Sequence, residues 1–91
     1  MVSNGLTRQE TILVNDRVNR DILDKLNKTD CTALTLAFHA RTKKNTARRH
    51  LIALSKAELV TKAYQEGQTH YWTLTPRGEL LVSRITETIR R

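Results

Sequence analysis

The side chains in this sequence that could do chemistry are mostly cations. Arg41, Lys43, Lys44, Arg48 and Arg49 fall within one segment, Arg41-Thr-Lys-Lys-Asn-Thr-Ala-Arg-Arg-His50, which contains no acid. An arginine fork can donate two hydrogen bonds to guanine O6 and N7, and an amide such as that of Asn45 can pair with adenine N6 and N7. Lys43, Lys44 and the hydroxyl of Thr46 suit phosphate oxygens, contacts that position a protein without reading sequence. The segment runs on into Leu51-Ile-Ala-Leu54. There Ala47, Leu51 and Leu54 recur at i, i+4 and i+7, which is one face of a helix. Lys44, Asn45 and Arg48 fall on the other side. A helix buried along one face and basic at its exposed N-terminal end suits a DNA groove.

The whole chain has the same bias. It has 91 residues, a formal charge of +7 and a pI near 10.2. That balance points to a polyanionic partner, nucleic acid first and an anionic membrane surface second. Apolar content is 38% and aromatic content 4%, so the core is built from Leu, Ile, Val and Ala, which favours short packed helices over a large sheet. A lone cysteine, Cys31, excludes an intrachain disulfide and fits a reducing cytoplasm. Met1-Val-Ser-Asn-Gly5 lacks the basic and apolar regions of a signal peptide. No apolar run approaches the roughly 20 residues that span a bilayer. The expectation is a cytoplasmic protein with no membrane partner.

Other chemistries find little support. Cys31, His39, His50 and His70 are scattered, with no C-x-x-C or H-x-x-x-H pair to hold a metal. No phosphate-cradling glycine loop and no nucleophile motif is present. The reading is a non-enzyme with no cofactor and no metal. Tyr64, Tyr71 and Trp72 could stack on bases, but a core role is the stronger reading, above all for Trp72.

The remaining segments must position the basic helix. Residues 1–5 read as a tail. Thr7-Arg-Gln-Glu10 has the form of a capping box, so a short helix with Leu6, Leu13 and Val14 on its apolar side competes with an extended arm through Thr11-Ile-Leu-Val14. Asn15 is a good N-cap for a helix over roughly 16–27, where Val18, Ile22, Leu23 and Leu26 form the apolar stripe. Its other face carries Asp16/Arg20, Arg17/Asp21, Asp21/Lys25 and Asp24/Lys28 pairs at i, i+4. Cys31 and Thr32 suit a very short strand. A helix over roughly 33–39 follows, with Leu34, Ala37 and Phe38 expected to face inward. After the Arg41-Thr42 turn, the basic helix runs from Thr42 or Lys43 to about Ala57. Two β-prone runs, Leu59–Tyr64 and Thr69–Leu74, flank Gln65-Glu-Gly-Gln68 and predict a hairpin turning at Gly67. Thr75-Pro76 then opens a last helix over roughly 76–90, with Leu81, Val82, Ile85 and Ile89 on one side.

This order resembles the winged helix-turn-helix domain of small prokaryotic transcription regulators of the MarR, ArsR and PadR type. The residues that carry the likeness are Leu36-Ala37, Asn45-Thr-Ala-Arg-Arg-His-Leu51, Leu54, Leu59-Val60 and, around the closing of the wing, Trp72-Thr-Leu-Thr-Pro-Arg-Gly78. Together they span about half the chain. The resemblance implies a mainly α fold with a small β-hairpin: an N-terminal arm or short helix over 1–14, a winged helix-turn-helix domain over 15–75 and a C-terminal helix over 76–91. Two departures stand out. Arg41 occupies a turn position that is often glycine, and Thr42 one that is often apolar. Glu58 replaces the usual glycine after the basic helix, and glycine there is expected to be neutral or stabilising.

The function implied is sequence-specific binding of double-stranded DNA as a transcriptional repressor or other regulator. Arg41, Lys43, Lys44, Asn45, Thr46, Arg48 and Arg49 are the candidate contacts, with Lys62 and Gln68 on the wing and Arg77 just past it. The apolar side of the last helix and the 6–14 arm favour a homodimer, which would set two basic helices one DNA turn apart on a palindromic site. Two alternatives use the same fold: a plasmid or phage replication, partition or excision factor, and a protein-interaction module that docks on an acidic partner.

Overall fold

The computed structural model describes residues 7–90, with 86–90 described by backbone alone. The proposed tail, Leu6 and the Ile89 side chain therefore lie outside what is described. Five helices and three strands follow in the order α1 (Arg8–Val14), α2 (Arg17–Lys28), β1 (Cys31–Thr32), α3 (Ala33–His39), α4 (Lys44–Lys56), β2 (Val60–Glu66), β3 (Thr69–Leu74) and α5 (Pro76–Arg90).

Local chemistry sets most of the boundaries. The capping box forms at α1: the Thr7 hydroxyl accepts from the Glu10 N–H at 3.1 Å, and a Glu10 carboxylate oxygen accepts from the Thr7 N–H at 3.0 Å. Of the two readings for this arm, the helix is the one observed. Asp16, not Asn15, caps α2, its carboxylate accepting from the Val18 and Asn19 N–H groups. Asn15 lies in the α region and closes α1, so the extended conformation a cap requires falls one residue later. Thr32 caps α3 by accepting from the Thr35 N–H.

Both ends of the helix-turn-helix hairpin close with a side chain where glycine is usual. At the end of α3, Arg41 adopts φ +56°, its N–H donates to the Phe38 carbonyl and the Thr42 N–H to that of Ala37. At the end of α4, Glu58 adopts φ +64°, its N–H donates to Ser55 and the Leu59 N–H to Leu54. These are paired Schellman bonds, and the second is backed by Leu54 and Leu59, both fully buried. Arg41 and Glu58, two of the departures from the pattern, thus fall on the two left-handed positions outside glycine among the described residues.

The core lies where α2, α3 and α4 meet the sheet. Ile22, Leu36, Leu51, Leu54 and Leu59 are fully buried, with Leu23, Leu26, Val60, Leu74, Leu81 and Val82 around them. Truncating one such leucine to alanine costs about 2–5 kcal/mol. Here one expectation is corrected. On α3 the inward residues are Leu36, Ala37 and Ala40, whereas Leu34 is 58% exposed and Phe38 85%. Leu34 and Phe38 lie four apart, a stripe as regular as that of Leu36 and Ala40, and packing against α4 selects the second.

The sheet is antiparallel in the order β1-β3-β2, with Cys31 opposite Trp72 and Val60 opposite Leu74. Gly67 turns the hairpin at φ +60°. A bulge between Lys62 and Tyr64 rotates the strand, and Tyr64 then stacks on Tyr71 with ring centroids 4.6 Å apart. Trp72 packs against the core. Thr75 joins three elements: its N–H donates to the Leu59 carbonyl, its hydroxyl donates to the Glu58 carbonyl at 2.6 Å and accepts from the Gly78 N–H at 3.0 Å. Gly78 lies so close to this joint that a Cβ would stand 2.1 Å from the Leu59 carbonyl oxygen. Glycine at the close of the wing is therefore a steric requirement.

Candidate nucleic-acid interface

The apolar face of α4 determines what its other faces offer. Ala47, Leu51 and Leu54 are fully buried, which turns Lys44, Asn45, Arg48, Arg49 and Ile52 outward, all exposed. Thr46 is half-buried in the first turn. Lys43 is the N-cap residue and supplies no side-chain hydrogen bond to the helix, so the first backbone N–H groups of α4 carry no side-chain cap. Arg41 is exposed at the preceding turn. Among the described residues, none of these five cations is in an ion pair with an acid.

The wing adds a second wall. Between it and α4 lies a cleft of about 340 Å³ lined by Lys44, Arg48 and Ile52 on the helix side and by Lys62, Gln68, His70 and Trp72 on the wing side. The Lys62 ammonium stands 5.8 Å from the centroid of the Trp72 ring. Glu66, the acid near the wing tip, is engaged by the Tyr71 hydroxyl, a hydrogen bond that pushes the phenol pKa up.

The fold thus draws Lys44, Arg48, Lys62 and Gln68 to one cleft, with Arg41, Lys43, Asn45, Thr46 and Arg49 on the adjoining turn and helix. Arg77 is placed elsewhere. Its Nε donates to Glu10 Oε2 at 2.9 Å, tying α5 to α1 across 67 residues of sequence. Burial pushes the Glu10 carboxyl up, but the Thr7 N–H and the Arg77 guanidinium outweigh it and hold the group below its ordinary range.

The orientation of α4 rests on contacts no local pattern reveals. Asn19, buried on α2, donates from Nδ2 to the Leu13 carbonyl at 2.9 Å. Its Oδ1 therefore faces α4, where it accepts from His50 Nδ1 at 2.7 Å. One amide thus connects the end of α1 to the basic helix. On the other side of α2, Arg17 pairs with Asp21 at 2.6 Å and also donates to the Ala40 carbonyl at 2.9 Å, pinning the end of α3.

A helical core, a short strand that joins a β-hairpin, and a closing helix together define a winged helix-turn-helix domain. Solved structures agree. The chain is similar to a MarR family transcription regulator, with a TM-score of 0.74 and 26% identity over 96% of this chain and 54% of that one. It is also similar to a MarR family regulator from Silicibacter pomeroyi (TM-score 0.76, 23% identity, 91% of this chain and 57% of that one). A third likeness is to a homodimeric winged helix-turn-helix DNA-binding domain from Mycobacterium bovis, a possible ArsR-family regulator (TM-score 0.74, 18% identity, 90% and 75%). The chain spans little more than half the length of the two MarR-type proteins. By sequence, no family model and no curated protein matches it. No helix among the described residues is long and apolar enough to cross a membrane, and no group of three or more potential metal ligands occurs among them.

Proposed function

We propose that this chain binds double-stranded DNA and regulates transcription, as a repressor that occupies a promoter site. The observation that carries this reading is the acid-free, solvent-facing start of α4. Its cations are free of internal partners among the described residues, while the opposite face of the same helix is fully buried. In this reading Asn45, Arg48 and Arg49 meet base edges in the major groove. Arg41, Lys43, Lys44 and Thr46 hold phosphates, and Lys62 and Gln68 approach the backbone from the wing. Arg77 contributes through α1, as a brace.

Dimerisation belongs to the same proposal. Ile12 on α1 is 63% exposed and Leu80 on α5 is 53% exposed, and the Glu10–Arg77 pair holds these two helices together. The M. bovis neighbour is a homodimer. Two copies joined through α1 and α5 would set their α4 helices on half-sites about one DNA turn apart.

The test is Arg48→Ala with Arg49→Ala, on DNA selected from a random pool. Loss of two cations should weaken binding by tenfold or more, on the order of 1–3 kcal/mol for each lost base contact. If the pair instead meets phosphate, the slope of log affinity against log salt falls by about 2. A folded variant with unchanged affinity and unchanged slope would sink the proposal.

A further inference from the structure

Leu34 and Phe38 are the most exposed apolar pair on the helix-turn-helix. They stand one turn apart on the outer side of α3, at 58% and 85% exposure. Between them and the start of α4 runs a shallow groove floored by Ala37 and walled by Arg41, Lys43 and Lys44, and no acid lines it. A cationic rim around an apolar stripe of helical spacing has a definite complement. We propose that this groove docks an acidic amphipathic helix of a partner protein, whose apolar side chains cover Leu34 and Phe38 while its carboxylates meet Arg41, Lys43 and Lys44.

Charge selects this occupant over the others. A second copy of the same face would set its cations against these. A DNA backbone satisfies the cations but offers the Phe38 ring only sugar edges, leaving the most exposed aromatic in the domain largely in water. A helix with apolar residues at i, i+3 or i+4 and i+7 covers such a stripe, and acids on its flanks neutralise the rim. Because Lys43 and Lys44 are also proposed phosphate contacts, partner and DNA exclude one another at this face. That exclusion rests on the DNA reading; the docking surface does not.

The probe is a dye-labelled synthetic peptide of about 16 residues, long enough to hold a helix. It carries leucine and phenylalanine at that spacing, glutamate on the flanks of that stripe and alanine or glutamine elsewhere. A second peptide has the same composition in scrambled order. Fluorescence anisotropy without DNA should give tighter binding for the patterned peptide by about tenfold or more. Leu34→Ser with Phe38→Ser should remove that advantage, as should Lys43→Glu with Lys44→Glu, in variants whose melting curves show them folded. Because Leu34 also lines the cleft beside the wing, duplex DNA affinity is read in Phe38→Ser alone, where it should survive, and the patterned peptide should compete with duplex for the parent protein. Equal binding of the scrambled peptide, or full binding by the Leu34→Ser/Phe38→Ser variant, overturns the proposal. So does loss of duplex affinity in Phe38→Ser with no peptide binding by the parent, which would assign the patch to the DNA surface. Peptide docking in a protein that binds no DNA would support the groove and refute the DNA reading alone.

Discussion

Replacing Glu58 by glycine should stabilise this domain. Glu58 is held at φ +64° by the turn that ends α4. A residue with a Cβ costs about 1–2 kcal/mol in that region. Glycine escapes the penalty but loses about 0.5–1 kcal/mol more conformational freedom on folding. The difference favours Glu58→Gly by about 0.75 kcal/mol, within a range of about 0 to 1.5. Little else changes. The Glu58 side chain is exposed, and it is in no ion pair among the described residues. Its N–H keeps Ser55 at 2.9 Å, and its carbonyl keeps the Thr75 hydroxyl at 2.6 Å. In a domain of this size about 1 kcal/mol moves Tm by roughly 4–8 °C, so the rise should be about 3–6 °C. Thermal melts followed by circular dichroism read this directly. Glu58→Ala is the control, since it removes the same charge but keeps the Cβ. If Glu58→Gly melts no higher than Glu58→Ala, the strain argument is wrong.

Three further outcomes follow from contacts and exposed residues of α5. Gly78→Ala should lower stability by about 1–3 kcal/mol, because its methyl must displace the Leu59 carbonyl from 2.1 Å; a melting temperature equal to the parent's would show that the joint yields freely. Glu10 has a depressed pKa in the folded state, so its contribution is full above the ordinary carboxylate range, about pH 4.5, and is lost as pH falls through the lower folded value. The stability gap between the parent and Glu10→Gln, followed by urea denaturation, should therefore narrow on acidification below that range, and a constant gap would refute it. Finally, light scattering should find the parent a dimer, as proposed, and Ile12→Arg with Leu80→Arg a folded monomer; a dimeric variant would move the interface elsewhere.

Much of the fold was legible because its signals are local. Ala47, Leu51 and Leu54 declare the buried face of α4 by spacing alone, and Gly67 declares the turn of the wing; Thr7 with Glu10 offered the start of α1, but the β-branched run after them left an extended arm equally open. The basic residues of the candidate interface were legible for the same reason: a helix buried on one side must present its remaining side chains on the other. What escaped depends on partners distant in sequence. Leu34 and Phe38 form as good a stripe on paper as Leu36 and Ala40, and only the position of α4 decides between them. Arg77 looks like a free cation until α1 brings Glu10 against it. Nothing near His50 foretells Asn19, which lies 31 residues away on α2. Asn19 itself reads as a polar interruption of a helix, although it is almost wholly buried.

The uncapped opening of α4 has a consequence for how folding and binding are linked. Lys43 and Lys44 sit where the helix macrodipole gathers partial positive charge, so the first turn is electrostatically opposed to its own side chains. Ala47, Leu51 and Leu54 hold that turn in place from behind. An arriving anion would remove the conflict, neutralising the lysines and accepting from N–H groups that no side chain caps. If DNA phosphate binds there as proposed, the turn that receives it would also gain order from it, and occupancy would raise the stability of the whole domain through that one locus.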